Sequence, residues 1–332
     1  MTDRGSQEGN TRRADRQHHE AHGRDQSQKD PLMMWIRRRG LGVQVWTPAK
    51  VNLFLEVMGR RPDGYHDLAT LMLGVGWYDT LELLERSDGE VILHCDTAEL
   101  STGPENLIVR AAQLLRSRYG ILQGVEIRLF KRIPMQAGLA GGSSDAAATL
   151  AGLNQLWRLG HDAPTLAALG AELGSDVSFF FHGPAAWCTG RGEIVQPFPL
   201  NQALELVLVC PQVGLSTASV FRALQRSRSL VSGQPLLEAL QRGDLAAVGR
   251  SLFNRLEEPA ERLCPPVRWW REQLAATASL GIGCLGARMS GSGSAVFALA
   301  QDAAEALQIT RAVAKVPAGP STARVLVVRS CD

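Results

Sequence analysis

PMQAGLAGGSSDAAATL, residues 134–150, decides how the rest of the chain is read. It follows VEIRLFK (125–131), where Val125, Ile127 and Leu129 alternate at the period of a strand. It runs into a segment whose Ala146, Leu150, Leu153 and Trp157 recur at helical spacing, from a start near Ser143. Gly138, Gly141, Gly142, Ser143 and Ser144 therefore stand between a strand and a helix start. A first helical turn leaves backbone N–H groups unpartnered and carries the positive end of the dipole, while glycine lets a ligand approach the chain. The stretch predicts an anion site, with phosphate its natural guest. The serine hydroxyls can meet phosphate oxygens or the waters of a magnesium ion. The plainer alternative is a flexible turn with Ser143 or Ser144 as helix cap. No Gly in the chain is followed by Lys, so there is no GxxxxGK[ST]; a GxGxxG after a strand, HExxH and the HRD and DFG signatures are missing too.

Upstream, TPAKVNLFLEV (47–57) alternates Val51, Leu53, Leu55 and Val57 as a strand, which puts Lys50 and Asn52 together on the opposite face. ENLIVRAAQLLRSRYG (105–120) repeats Leu107, Ala111, Leu114 and Leu115 at helical spacing and stops at Gly120. Downstream, ELVLVC (205–210), SAVFALA (294–300) and ARVLVV (323–328) read as strands, and DAAEALQITRAVA (302–314) as a helix. Strands and helices in irregular order point to an α+β fold. Pro197 and Pro199 suggest a boundary between domains 43–196 and 197–330.

Residues 1–31 lack Val, Ile, Leu, Phe, Tyr and Trp, and balance six Lys/Arg against six Asp/Glu, too little apolar surface to offset ordering entropy. With the linker of Met33, Met34, Trp35, Ile36 and Arg37–Arg39 they read as a disordered tail, 1–42, and His18, His19 and His22 as solvated polar residues. The 332 residues carry 35 Lys+Arg against 33 Asp+Glu, a balance that excludes a general nucleic-acid or membrane-surface binder. No long apolar run or secretory leader is present, so the compartment expected is the cytoplasm. Six scattered cysteines without a CxxC pair predict neither a disulfide framework nor a zinc ribbon.

Four ordered segments, TPAKVNLFLEV (47–57), PMQAGLAGGSSDAA (134–147), LGSDVSFFFHG (173–183) and ARMSGSGSAVFAL (287–299), resemble those of the GHMP kinases. Within that family, GRRPDGYHDLATLM (59–72) resembles the branch whose acceptor carries a cytidine, and CPQVGLSTASVF (210–221) fits the same branch. The resemblance implies a two-domain α+β fold. Its N-terminal domain would be like domain 2 of ribosomal protein S5, its C-terminal domain ferredoxin-like, with ATP and acceptor held between them. It implies ATP with Mg2+ as the phosphoryl donor and, as acceptor, the 2-hydroxyl of a cytidine diphosphate-linked methylerythritol, a small-molecule substrate of isoprenoid precursor synthesis. No nucleic acid or membrane partner is implied, and the expected state is a monomer or weak homodimer.

Carried over by residue, the catalytic pair falls on Lys50 and Asp176: a carboxylate beside the acceptor hydroxyl takes its proton, and an ammonium offsets developing negative charge. The chain has 31 Arg and only four Lys, at 29, 50, 131 and 315, so a lysine within a strand suggests a need for a compact point charge. Taken alone, Asp176 would read as a helix cap and Lys50 as a strand-edge lysine. Asn52 takes a positioning role beside the hydroxyl. Tyr65 and Phe221 would sandwich the cytosine while His66 reads its edge, although each could be a packing aromatic. ATP would lie against Asn106, itself equally readable as a helix cap, and the loop Pro134, Met135, Gln136, Ala137, Gly138, Leu139, Ala140, Gly141, Gly142, Ser143 and Ser144. Asp145 stands where some of the family carry Asn near the adenine. Residues 222–265 match no motif and read as insertion-tolerant surface.

Overall fold

The computed structural model describes residues 33–225, 229–317 and 319–331. It opens on a hairpin: β1 (Trp35–Arg39) pairs antiparallel with β2 (Gly42–Arg60), and Gly40 turns the chain at φ 56°. This corrects the tail expected through residue 42. Met33 and Met34 are buried and Trp35 stacks on Tyr78 at 5.1 Å, so this segment has the apolar burial that residues 1–31 lack in composition. The three tail histidines lie outside the described residues.

β2 pairs along nearly its whole length with β3 (His66–Arg86), with register shifts at Pro48/Ala49, Asn52/Phe54 and Val57/Gly59. Proline cannot donate to the ladder, so an irregularity beside Pro48 follows from the residue itself. After β4 (Val91–Cys95) comes α1 (Leu107–Tyr119), capped by Asn106 Oδ1 accepting from the Ile108 N–H at 2.9 Å and ended by Gly120 at φ 65°. β5 (Gly124–Phe130) leads to α2 (Gly141–Leu156), followed by α3 (Ala163–Leu173), a 3-10 turn Ser178–Phe181, β6 (Ala185–Gly190) and β7 (Ile194–Pro197). β3 serves two neighbours: residues 80–86 pair with β5, and residues 68–73 with β6. The sheet order is β1-β2-β3-β5-β4, with β6 branching from β3 and β7 from β6.

The second sheet begins with β8 (Glu205–Pro211). α4 (Thr217–Ala223) follows, and the stretch 222–265, expected to be surface, instead holds α5 (Gln234–Arg242), α6 (Leu245–Ser251), β9 (Phe253–Asn254) and α7 (Glu257–Leu263). Leu236, Leu240 and Val248 are core residues, and β9 joins the first sheet parallel to β2. α8 (Pro265–Ser279), β10 (Gly286–Met289), β11 (Val296–Ala300), α9 (Ala303–Ala314) and β12 (Ala323–Arg329) complete the chain. This sheet is antiparallel in the order β10-β11-β8-β12. One face packs on α8 and α9 through Val207, Val209, Val296, Trp270, Leu274 and Ile309. The other, through Leu206, Leu208, Phe297 and Leu299, shares a core with Val51, Leu53, Leu71 and Leu73 of the first sheet. At about 1.5–3 kcal/mol per fully buried Leu or Phe, that shared layer is a firm backing for the opposite face of β2, which carries Lys50 and Asn52. Among the described residues no helix is long and apolar enough to cross a membrane.

Candidate active site

A cavity of about 1580 Å³ is lined by β2, β3, the loop before α2, α4 and the turn at 291–292. It brings together Lys50, Asn52, Tyr65, His66, Asn106, Asp176 and Phe221, with residues 134–138 and 140–143 of the loop. Two expected residues do not line it. Leu139 is core, 1% exposed. Ser144 is fully buried, its hydroxyl held by Pro48 O at 2.6 Å and Thr47 Oγ1 at 2.5 Å. The Ser144 hydroxyl is therefore a strut between α2 and β2 and is turned away from any phosphate, which corrects the sequence expectation.

Lys50 is 3% exposed, yet its ammonium has three oxygen neighbours: it donates to Asn52 Oδ1 at 2.6 Å and Gly138 O at 3.2 Å, and faces Asp176 Oδ2 at 3.6 Å. Asn52 donates through Nδ2 to Thr70 Oγ1 at 2.8 Å, and Thr70 donates to Phe54 O at 2.6 Å. With both hydrogen-bonding ends of Asn52 fixed, its amide orientation is set and Lys50 is aimed. Asp176 stands in the turn before Ser178–Phe181 and caps no helix. Its side chain keeps 28% exposure, so it can meet a ligand. The nearby Cys188 thiol is pushed up to about 12 by burial, with the Asp176 charge adding to it, and is no nucleophile at neutral pH.

The glycine loop is pinned by its carbonyls. Gln136 O accepts from Leu215 N, Ala137 O from Ala295 N, Leu139 O from Lys50 N, and Gly138 O from both Lys50 Nζ and Ser290 Oγ. Gln136, Gly138 and Ala140 have φ of 52°, 74° and 54°. A Cβ on Gly138 would stand 2.0 Å from Ser290 O, so the loop and the Ser290–Ser294 turn meet backbone to backbone. α2 then begins at Gly141 without a side-chain cap, and the N–H groups of Gly141, Gly142 and Ser143 precede the first bonded donor, Ser144 N to Ala140 O. That is the arrangement a phosphate requires. Asn106 lines the same cavity, but its cap bond and a 2.6 Å donation to Ser101 O occupy its side chain.

Beneath the loop lies an ion cluster that the sequence reading missed. Lys131 Nζ donates to Asp145 Oδ2 at 2.7 Å and Asp79 Oδ2 at 2.5 Å, with all three side chains at most 5% exposed. Asp79 Oδ1 also accepts from the N–H of Ile133 at 2.9 Å. Burial, reinforced by the Asp79 charge and opposed by Lys131, pushes Asp145 up to about 7. Burial disfavours charge on Lys131, but the two carboxylates outweigh it and raise the ammonium above its ordinary value. The scarcity of lysine that marks Lys50 marks Lys131 equally.

At the far end His66 stacks on Phe221 at 4.9 Å, with 24° between planes, while Tyr65 is 55% exposed beneath the Arg191 guanidinium, 5.1 Å from its ring. Phe221 thus presents a ring pair, in contrast to the bare face expected for a sandwich with Tyr65. Burial, then the charge of Arg60, lowers the His66 imidazole below its usual range, which leaves it neutral near pH 7, a donor and an acceptor. Thr217 Oγ1 lies 2.8 Å from Ser292 Oγ and ties α4, the helix of Phe221, to the turn beside the glycine loop. Among the described residues no group of three or more His, Cys, Asp and Glu could hold a metal ion.

The family model for the GHMP kinases N terminal domain matches residues 106–184, and that for the GHMP kinases C terminal matches residues 236–319. The 4-diphosphocytidyl-2-C-methyl-D-erythritol kinase of Shouchella clausii is 43% identical over 255 residues, 76% of this chain and 84% of that protein. The enzyme of the same name from Pelotomaculum thermopropionicum is 41% identical over 263 residues, 79% of this chain and 90% of its own. A crystal structure of 4-(cytidine 5'-diphospho)-2C-methyl-D-erythritol kinase superimposes with a TM-score of 0.69 at 36% identity, over 86% of this chain and 98% of that one. Mevalonate kinase from L. major, at 19% identity and TM-score 0.65 over 86% and 94%, shares the fold.

Proposed function

Because the chain belongs to the 4-diphosphocytidyl-2-C-methyl-D-erythritol kinases, a family within the GHMP kinases, it is an ATP-dependent kinase of that small alcohol, and we propose that Lys50 and Asp176 carry the transfer. The 2-hydroxyl of the acceptor lies against Asp176, with Asn52 and Lys50 fixing the geometry. As the hydroxyl oxygen bonds to the γ-phosphorus, its proton passes to Asp176, the bond from that phosphorus to the β-phosphate bridging oxygen breaks, and ADP leaves. The Lys50 ammonium faces the oxygen that gains negative charge. The observation that carries this reading is the 3.6 Å approach of Lys50 Nζ to Asp176 Oδ2 beside a glycine loop with open helix-start amides.

The ATP phosphates sit on the amides of Gly141, Gly142 and Ser143, with the Ser143 hydroxyl available to a phosphate oxygen and Asn106 toward the base. The Mg2+ that would accompany the nucleotide would neutralise phosphate charge, with the Ser143 hydroxyl on the cavity wall placed to meet its waters. The cytosine binds at Tyr65, His66 and Phe221. The test is ADP release with MgATP and 4-diphosphocytidyl-2-C-methyl-D-erythritol beside homoserine, mevalonate and galactose. Turnover with the cytidylyl acceptor alone is expected, and turnover with another acceptor instead would overturn the reading.

A further inference from the structure

The proposed acceptor carries a diphosphate between its cytidine and its reacting polyol, and we infer that Arg191 is the residue that receives it, an assignment that rests on the acceptor reading above. Arg191 occupies the turn between β6 and β7, flanked by Gly190 at φ 68° and Gly192 at φ 118°. One contact places this turn at the reacting end: a Cβ on Gly192 would stand 3.5 Å from Asp176 Oδ1, so the backbone next to Arg191 abuts that carboxylate. Another places its side chain at the cytidine end, with the guanidinium carbon 5.1 Å from the Tyr65 ring centroid. Arg191 therefore spans, along one wall of one cavity, the two groups that the diphosphate separates in the acceptor.

The chemistry suits the position. A guanidinium presents paired N–H donors that match two phosphate oxygens at once, and stacking on an aromatic face holds its plane without using those donors. Its ion pair with Glu193 is long, Nε to Oε1 at 3.6 Å, outside hydrogen-bond range, while the backbone N–H of Arg191 donates to Glu193 Oε2 at 2.5 Å and anchors the turn. The side chain is 31% exposed, enough for a ligand to reach. Of the three other arginines that line the cavity, Arg60 lies by His66 at the cytidine end and the other two have different work. Arg255 donates to both oxygens of buried Glu56, at 2.8 and 2.6 Å, and Arg222 bonds back to its own helix at Ala218 O and Ser219 Oγ. Arg191 makes the site prefer a cytidine that carries a diphosphate over the bare nucleoside.

Calorimetric titration of CDP and of cytidine into wild type, Arg191→Met and Arg191→Lys tests this. Wild type binds CDP more tightly than cytidine. Arg191→Met weakens CDP roughly 10- to 100-fold, the worth of a charge-assisted hydrogen bond, and cytidine no more than about fivefold, the worth of the lost stacking on Tyr65. Arg191→Lys keeps part of the CDP preference, and an unchanged KM for ATP in both variants shows that the fold is intact. Equal losses for CDP and cytidine, or an unchanged CDP affinity in Arg191→Met, would overturn the assignment while leaving the acceptor reading in place. A wild type that binds neither compound overturns the acceptor reading and this assignment with it.

Discussion

Asp176 Oδ2 faces the buried Lys50 ammonium at 3.6 Å, and the lysine is held from behind by Asn52 and the Gly138 carbonyl. The carboxylate is thus the more exposed, ligand-facing partner and the ammonium the buried, fixed one. Asp176→Asn keeps the shape and removes the proton acceptor, so kcat falls by roughly 10²- to 10⁴-fold while the KM for ATP changes little. Lys50→Met lowers kcat comparably. Because the two act as a unit, the double variant is little worse than the poorer single one, and steady-state ADP release on the three proteins checks this.

Gly138 and Gly142 separate what glycine does in the loop. An Ala at 138 combines φ 74° with a methyl 2.0 Å from Ser290 O, so Gly138→Ala lowers stability by about 3 kcal/mol or more and disrupts the turn at Ser290–Ser294. At Gly142, inside α2, a methyl meets nothing within 4 Å, so Gly142→Ala stabilises by about 0.5–1 kcal/mol while raising the KM for ATP, since the methyl stands in the cavity. For Gly142→Ala the urea midpoint should rise while kcat/KM for ATP falls; for Gly138→Ala both should fall.

The elements legible beforehand are those with one buried face and a clean end: β5 by its alternation, α1 by its helical repeat and Gly120, and α9, read as a helix over 302–314 and found at Ala303–Ala314. β3 hid because both faces of residues 70–75 are buried, which turns alternation into a continuous apolar run. At the site, the period of β2 placed Lys50 and Asn52 on one face, and their 2.6 Å bond follows from that spacing. The direction of the Ser144 hydroxyl was not legible, because Thr47 and Pro48, its partners, are brought beside it only by the packing of α2 on β2. The Asp79–Lys131–Asp145 cluster joins residues up to 66 positions apart and likewise needs the topology.

That cluster predicts a pH dependence. An unfolded aspartate titrates near 3.9, whereas Asp145 in the fold titrates at about 7, raised by burial and by Asp79 against the pull of Lys131. Between those values the native state holds a proton that the unfolded chain has released. The contribution of Asp145 is therefore fully present below about pH 4 and is lost as pH rises through 7. Asp145→Asn cannot titrate, so wild type loses stability relative to the variant between pH 5 and pH 8. Urea melts at pH 5, 6, 7 and 8 check the trend, and parallel curves would refute it.

The His66–Phe221 stack makes the last prediction. The rings lie 4.9 Å apart: His66 stands at the start of β3, which pairs with β2, and Phe221 on α4, tied to the turn beside the glycine loop by the Thr217–Ser292 contact. Stacking a base on an aromatic side chain is worth about 1–3 kcal/mol, so Phe221→Ala raises the acceptor KM by roughly 5- to 100-fold. The KM for ATP, bound at the α2 amides, moves much less, and kcat at saturating acceptor is largely kept because Lys50 and Asp176 are untouched. If Phe221 merely packed α4 against β3, the loosened helix would disturb the Ser292 turn and the neighbouring glycine loop, and the KM for ATP would rise with that for the acceptor. The ratio of the two KM changes therefore separates a ring that holds the cytosine from a ring that only fills space.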